Sequence, residues 1–190
     1  MSGLLVIFSG PSGVGKTTIT RAVIDRIPDA ELSVSATTRA QRPGEREGVD
    51  YFFVTPERFA QMEDKGEMLE TAEVFGKRYG TPAAWVGQRL AAGRVVVLEI
   101  DVQGAVQVKA KCPEAVGIFI LPPGEDELLE RLRRRAREDE AAIQRRFAEA
   151  KREIAEAHQS GAYDAFIVNE NLDAAIERAI EAVETRRAAT

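Results

Sequence analysis

Four stretches of this chain are apolar at nearly every position. They are Leu4-Leu5-Val6-Ile7-Phe8, Val95-Val96-Val97-Leu98, residues 116–121 and Phe166-Ile167-Val168. Runs of this length without polar alternation suit strands buried on both faces. Between them apolar residues recur at helical spacing: Ile19, Ala22, Val23 and Ile27 after the first run, a helix over about 83–92, and Leu172, Ala175, Ile176, Ala179, Ile180 and Val183 at the end. Strands alternating with amphipathic helices predict an α/β fold with a central parallel sheet covered on both sides, in three layers.

Two regions depart from that rhythm. A second strand is expected over 31–35, then a loop over 37–45, a strand over 49–54, a helix opened by Pro56 and ended at Lys65-Gly66, a strand over 68–75 and a turn over 76–80. Residues from about 35 to 82 thus form a small unit of short strands. Residues 125–159 are almost wholly helical in pattern and highly charged. Leu128, Leu129 and Leu132 line the first part, and Ile143, Phe147, Ala150, Ile154 and Ala157 the second. Residues 133–140 between them hold nothing apolar larger than alanine, which reads as a mobile cover over a site.

The first strand runs into Gly10-Pro11-Ser12-Gly13-Val14-Gly15-Lys16-Thr17. This is the phosphate-binding loop pattern, placed between a strand and a helix where its mechanics work. Glycines let backbone N–H groups converge on phosphate oxygens at the positive end of the following helix. Lys16 reaches the β- and γ-phosphates as a point charge, and the Thr17 hydroxyl ligates magnesium. The loop is expected to bind a nucleoside triphosphate.

Composition narrows the reading. The 190 residues make one domain with room for small insertions, able to bury roughly 70% of its unfolded surface. A net charge of -5 argues against a general nucleic-acid binder, so anionic ligands must meet local arginine clusters. Cys112 is alone and reads as inert filler; His158, the single histidine, reads as exposed and structural. No stretch approaches the roughly 20 apolar residues that span a bilayer. The early apolar run lacks a basic leader, so a cytoplasmic chain is expected.

Arg131 and Arg135 lie four apart on one helix face, Arg146 lies in the next helix, and Arg39 and Arg42 lie in the loop after the second strand. Two such sets could clamp a donor and an acceptor phosphate; each arginine could equally be a solvated surface charge. Asp101 follows the apolar run 95–98 at the carboxyl end of a strand, where open α/β sheets bind ligands; it could equally cap the next helix.

The order of motifs resembles the guanylate kinase family. The resemblance runs from about Leu4 to Val183. It rests on the phosphate loop, Ser33-Val34-Ser35-Ala36-Thr37-Thr38-Arg39, Arg42-Pro43-Gly44-Glu45, Gly48-Val49-Asp50-Tyr51-Phe52-Phe53, Tyr79-Gly80-Thr81, Leu98-Glu99-Ile100-Asp101-Val102-Gln103-Gly104 and Val168-Asn169. It implies a single domain of three parts: a core that holds ATP (1–34, 83–125, 154–190), a GMP-binding unit (35–82) and a helical lid (126–153). It assigns Arg39, Arg42, Tyr51 and Tyr79 to the GMP phosphate, and Ser35, Glu70 and Thr81 to the guanine with Asp101 nearby. Arg135 and Arg146 match lid arginines that close on the transferring phosphate, with Arg131 on the ATP side and Asn169 near the adenine. The implied reaction is magnesium-dependent transfer of the γ-phosphate of ATP to GMP, with Thr17 a direct ligand of the metal and Asp101 a ligand through water. Rival readings are a kinase for AMP or CMP and a phosphopeptide-binding scaffold without activity. No nucleic acid, membrane or obligatory protein partner is implied. The lid departs from the family's usual Arg-Gly-Arg-Gly-Thr-Asp: here Arg133-Arg134-Arg135-Ala136-Arg137-Glu138-Asp139 has no glycine, which should stiffen the bend. Ala36 stands where serine or threonine is common.

Overall fold

The computed structural model describes residues 3–135 and 139–189, with the backbone alone for Arg135. The lid bend at 136–138 lies outside the described residues.

The chain opens with β1 (Leu4–Ser9), buried at every position, and α1 (Lys16–Arg26). There follow β2 (Ala30–Leu32), β3 (Ala36–Thr37), β4 (Phe52–Phe53), α2 (Pro56–Asp64), β5 (Met68–Val74) and β6 (Lys77–Pro82). Next come α3 (Ala83–Ala91), β7 (Val95–Glu99), α4 (Val102–Lys111) and β8 (Val116–Leu121). The chain ends with α5 (Glu125–Arg135), α6 (Glu140–Ser160), β9 (Ala165–Val168) and α7 (Leu172–Ala188).

Five strands form a parallel sheet in the order β2-β7-β1-β8-β9. Alternate side chains of a strand point to opposite faces, and the sheet uses both for core. Leu4, Val6 and Phe8 join Ile19 and Val23 of α1 and Ile176 and Ile180 of α7 on one side. Leu5 and Ile7 join Val86 of α3 and Ala105 and Val108 of α4 on the other. The unbroken apolar runs inside these strands are the sequence trace of that two-sided burial.

A second sheet, β4-β3-β6-β5, stands on this core. Its β3–β4 pair is parallel, and β6 runs antiparallel to both β3 and β5. Phe59 of α2 fills its small core with Ala36 and Met68. The α2 helix starts where expected, with Pro56 in its first turn and the Thr55 hydroxyl accepting from the Arg58 N–H.

Three expectations need correction. The strand expected over 31–35 ends early: β2 stops at Leu32, Ser33 N–H donates to Val97 O as its last contact with the main sheet, and by Ser35, whose carbonyl accepts from Phe52 N–H, the chain has joined the small sheet. The strand expected over 49–54 pairs regularly only at Phe52–Phe53. The turn expected over 76–80 is strand; the hairpin turns at Phe75 and Gly76, both with positive φ, and β6 starts at Lys77. His158 is exposed and stacks on Phe166 at 4.2 Å.

Candidate functional site

The phosphate loop bends over the carboxyl end of β1, the middle strand of the main sheet. Gly15 opens α1 with φ 91°, and a Cβ there would come within 2.6 Å of Asn169 Nδ2. That amide, buried in the loop after β9, donates to Val14 O at 2.7 Å. Glycine is required so that Asn169 can brace the loop from behind. Lys16 Nζ folds back to Gly10 O at 3.2 Å. Residues 11–13 and 15–18 line a cavity of about 160 Å³, and Leu132 of α5 packs against Gly13 from above.

Thr17 donates its hydroxyl to Glu99 Oε1 at 2.6 Å. Sequence reasoning missed Glu99, although it had singled out acids after an apolar strand. The register that sets Glu99 of β7 beside Phe8 of β1 brings the carboxylate to the loop. Two residues on, the backbone has turned into α4, and Asp101 caps that helix by accepting from Gly104 N–H at 2.7 Å.

Arginines of α5 and α6 reach the phosphate loop and the segment that braces it. Arg146 Nη2 of α6 donates to Ser12 Oγ at 2.7 Å. Arg131 of α5 pairs with Glu127 at 2.9 Å and donates to Asn169 O at 3.1 Å. Arg131, Asn169 and Gly13 also line a hollow of about 350 Å³ beside the loop. The Arg135 side chain is outside the described residues.

Across the cleft, the small sheet gathers the remaining positions. Arg39 makes a two-pronged pair with Glu45, at 2.7 and 3.1 Å, and its guanidinium lies 5.2 Å from the Tyr51 ring. Tyr51 meets Tyr79 edge-on at 6.0 Å. The Glu45 hydrogen bond, opposed by burial and aided by Tyr79, raises the Arg39 pKa. Arg42 is exposed, and its backbone N–H donates to the same Glu45 at 2.8 Å. Ser35 lies on the segment between β2 and β3, its carbonyl accepting from Phe52 N–H. These residues are brought together although they stand up to 44 positions apart, from Ser35 to Tyr79.

Glu70 is only 4% exposed and accepts from the Thr81 hydroxyl at 2.7 Å. Burial pushes its carboxyl up, and the Thr81 hydrogen bond opposes that rise. A buried carboxylate with room for more donors suits a ligand that brings two N–H groups of its own. Glu153 of α6, also unforeseen, is raised by burial and pulled down by Lys16. It lines a cleft of about 450 Å³ together with Glu73 of the small sheet and Asp101.

A phosphate loop at the carboxyl end of a parallel sheet, with Arg39 and the buried Glu70 carried by a second, small sheet, fits a P-loop phosphotransferase of the nucleoside monophosphate kinase class. The sequence model of the guanylate kinase family matches residues 2–186. The guanylate kinase of Streptococcus pneumoniae is 50% identical over 177 residues, covering 93% of this chain and 84% of that protein. That of Prochlorococcus marinus is 43% identical over 181 residues, covering 95% and 97%. A crystal structure of guanylate kinase from Anaplasma phagocytophilum superposes with a TM-score of 0.73 at 34% identity, covering 98% of this chain and 87% of that one. The chain belongs to the guanylate kinase family.

Proposed function

We propose that this chain transfers the γ-phosphoryl group of ATP to GMP, giving ADP and GDP. The observation that carries the choice of base is the buried Glu70 carboxylate with Thr81 on one oxygen. Guanine offers N1–H and N2–H side by side, and an ionised Glu70 accepts both as a fork. Adenine has no N1 proton, so AMP would leave that carboxylate unpaired, a mismatch that sites of this kind penalise by about 10⁴-fold.

The GMP phosphate is held by Arg39, Arg42, Tyr51 and Tyr79. The planar guanidinium of Arg39 already binds two oxygens at once in Glu45, the geometry a phosphate presents. ATP lies with its phosphates on the loop 10–17, its adenine toward Asn169, and its ribose side toward Arg131. An oxygen of the GMP phosphate attacks the γ-phosphorus, and the bond from that phosphorus to the bridging oxygen breaks, ADP leaving with the electron pair. Lys16, Arg135 and Arg146 stabilise the charge that spreads over the transferring group. Closure of α5 and α6 over the loop keeps water from competing with GMP.

Magnesium fits the Thr17 hydroxyl and the Glu99 carboxylate, which are hard oxygen donors side by side. Bound there, the ion would neutralise charge on the β- and γ-phosphate oxygens. Among the described residues no cluster of three acidic, histidine or cysteine side chains forms a metal cage; an ion shared with phosphates and water needs none. Asp101 is better employed as the α4 cap beside Glu70 than as a ligand. The setting is purine nucleotide metabolism in the cytoplasm.

Turnover measured with GMP, AMP, CMP and UMP tests the reading. GMP should be used at least about 10³-fold better than AMP, and equal rates would end the guanine assignment. Calorimetry with GMP and a non-hydrolysable ATP analogue should find two sites. Room for one nucleotide would overturn the end-to-end arrangement.

A further inference from the structure

The strand that carries Glu70 is irregular at that point. The β5–β6 register shifts between Met68 and Thr71, so the residues between them form a bulge. Bulges of this kind re-aim a side chain near active sites. The β5 strand is also the edge of its sheet, so its outer side has no partner strand. Helix α4 of the core supplies the missing partner with two side chains. Gln107 Nε2 donates to Thr71 O at 3.0 Å, and Gln107 Oε1 accepts from Thr71 N–H at 3.0 Å. One amide thus makes the two bonds that a neighbouring strand would make. A turn further along, Lys111 Nζ donates to Met68 O at 2.7 Å. The two contacts grip the backbone on either side of the bulge. One turn earlier on α4, Gly104 leaves room for the carboxylate, since a Cβ there would stand 3.2 Å from Glu70 Oε2.

We propose that Gln107 and Lys111 are positioning residues for guanine selection: they pin the two ends of the β5 bulge and so fix the direction in which Glu70 presents its carboxylate. Neither touches the base. The stripe Gly104, Gln107, Lys111 on one face of α4 is the template against which the reading strand is set, and it joins the small sheet to the core at the point where direction matters most. A fork that must meet two N–H groups loses its selectivity when it rotates by a few tens of degrees, because hydrogen bonds weaken steeply off axis. The inference rests on the assignment of Glu70 to the guanine.

The test compares GMP with inosine monophosphate, which keeps N1–H and lacks the 2-amino group. Gln107→Met keeps side-chain length and removes both hydrogen bonds. It should raise KM for GMP about tenfold and lower the preference for GMP over inosine monophosphate by a similar factor, with KM for ATP changed by less than about twofold. Parallel losses on both monophosphates, with the preference intact, would mean a merely structural role and overturn the proposal. Should that variant fail to fold, Lys111→Met and Lys111→Arg decide: the first should lose preference, and the second, which keeps the donor, should recover most of it. No difference between those two would also overturn it. Glu70→Gln separates the two layers. If it leaves the preference intact, the Glu70 assignment falls; if it abolishes the preference while Gln107→Met does not, only the role of α4 falls.

Discussion

Around Lys16 the protein spends eight consecutive residues and mostly backbone, whereas around Arg39 and Glu70 it draws side chains from segments spread between Ser35 and Thr81. The loop is braced by groups from far away, Asn169 on Val14 and Leu132 on Gly13, but the parts that face a phosphate are contiguous. The small sheet works the other way: Arg39 carries Glu45 and Glu70 carries Thr81, while Arg42 stands exposed. A triphosphate is the same in every nucleotide and can be met by main chain. A base has to be distinguished, and that takes side chains of chosen chemistry held at chosen angles.

This contrast predicts that damage at one end stays at that end. The largest effect should come from Lys16→Ala, which should lower kcat by about 10²- to 10³-fold while leaving GMP affinity, measured by calorimetry, within about twofold. A near-normal rate would move charge stabilisation away from the loop. Glu70→Gln comes next, with kcat/KM for GMP down about a hundredfold and KM for ATP unchanged, because the amide can accept one guanine N–H but opposes the second. Equal losses for both substrates in steady-state assays would show the two ends to be one site. Asn169→Ala leaves the buried Val14 carbonyl without its donor, a loss of about 1–3 kcal/mol. KM for ATP should rise about tenfold and that for GMP should not move.

The smallest effect is in pH. Burial raises the Glu70 carboxyl, so the folded protein holds that proton at a pH where the unfolded chain has released it. The carboxyl therefore contributes most to stability at low pH, and that contribution is lost as pH rises through the raised folded pKa. GMP needs the ionised form, so its KM should climb severalfold as pH falls through the same window, with no matching limb for ATP. In Glu70→Gln this limb should vanish from the pH profile; its persistence would assign it to another group.

The same contrast explains what could be read from sequence. Strand, loop and helix at residues 4–27 are local, and their pattern already states their packing. The apolar runs 4–8, 95–98 and 116–121 announce a sheet covered on both faces, and the structure has it. The small sheet was harder because its elements are short and depend on partners. Gly80 looked like a turn residue but sits inside β6, where a Cβ would come 2.8 Å from Glu70 O; the glycine marks a close backbone approach. The break between β2 and β3 has no local signal, since it records a change of sheet. Sequence alone does not separate Glu99 from Asp101, because only strand register shows which acid reaches Thr17. Gln107 has no signature at all: an exposed-looking amide on a helix becomes meaningful when an unpaired edge strand lies beside it.

The Glu45 carboxylate on Arg39 also has consequences for how GMP arrives. Glu45 is held well ionised by that guanidinium and is tied independently to the Arg42 backbone N–H. If Arg39 takes the GMP phosphate as proposed, the incoming group displaces a resident anion that stays tethered to the Arg42 backbone N–H. Such an exchange favours a dianion over a singly charged visitor, and it gives guanosine, which has no phosphate, nothing with which to open the pair.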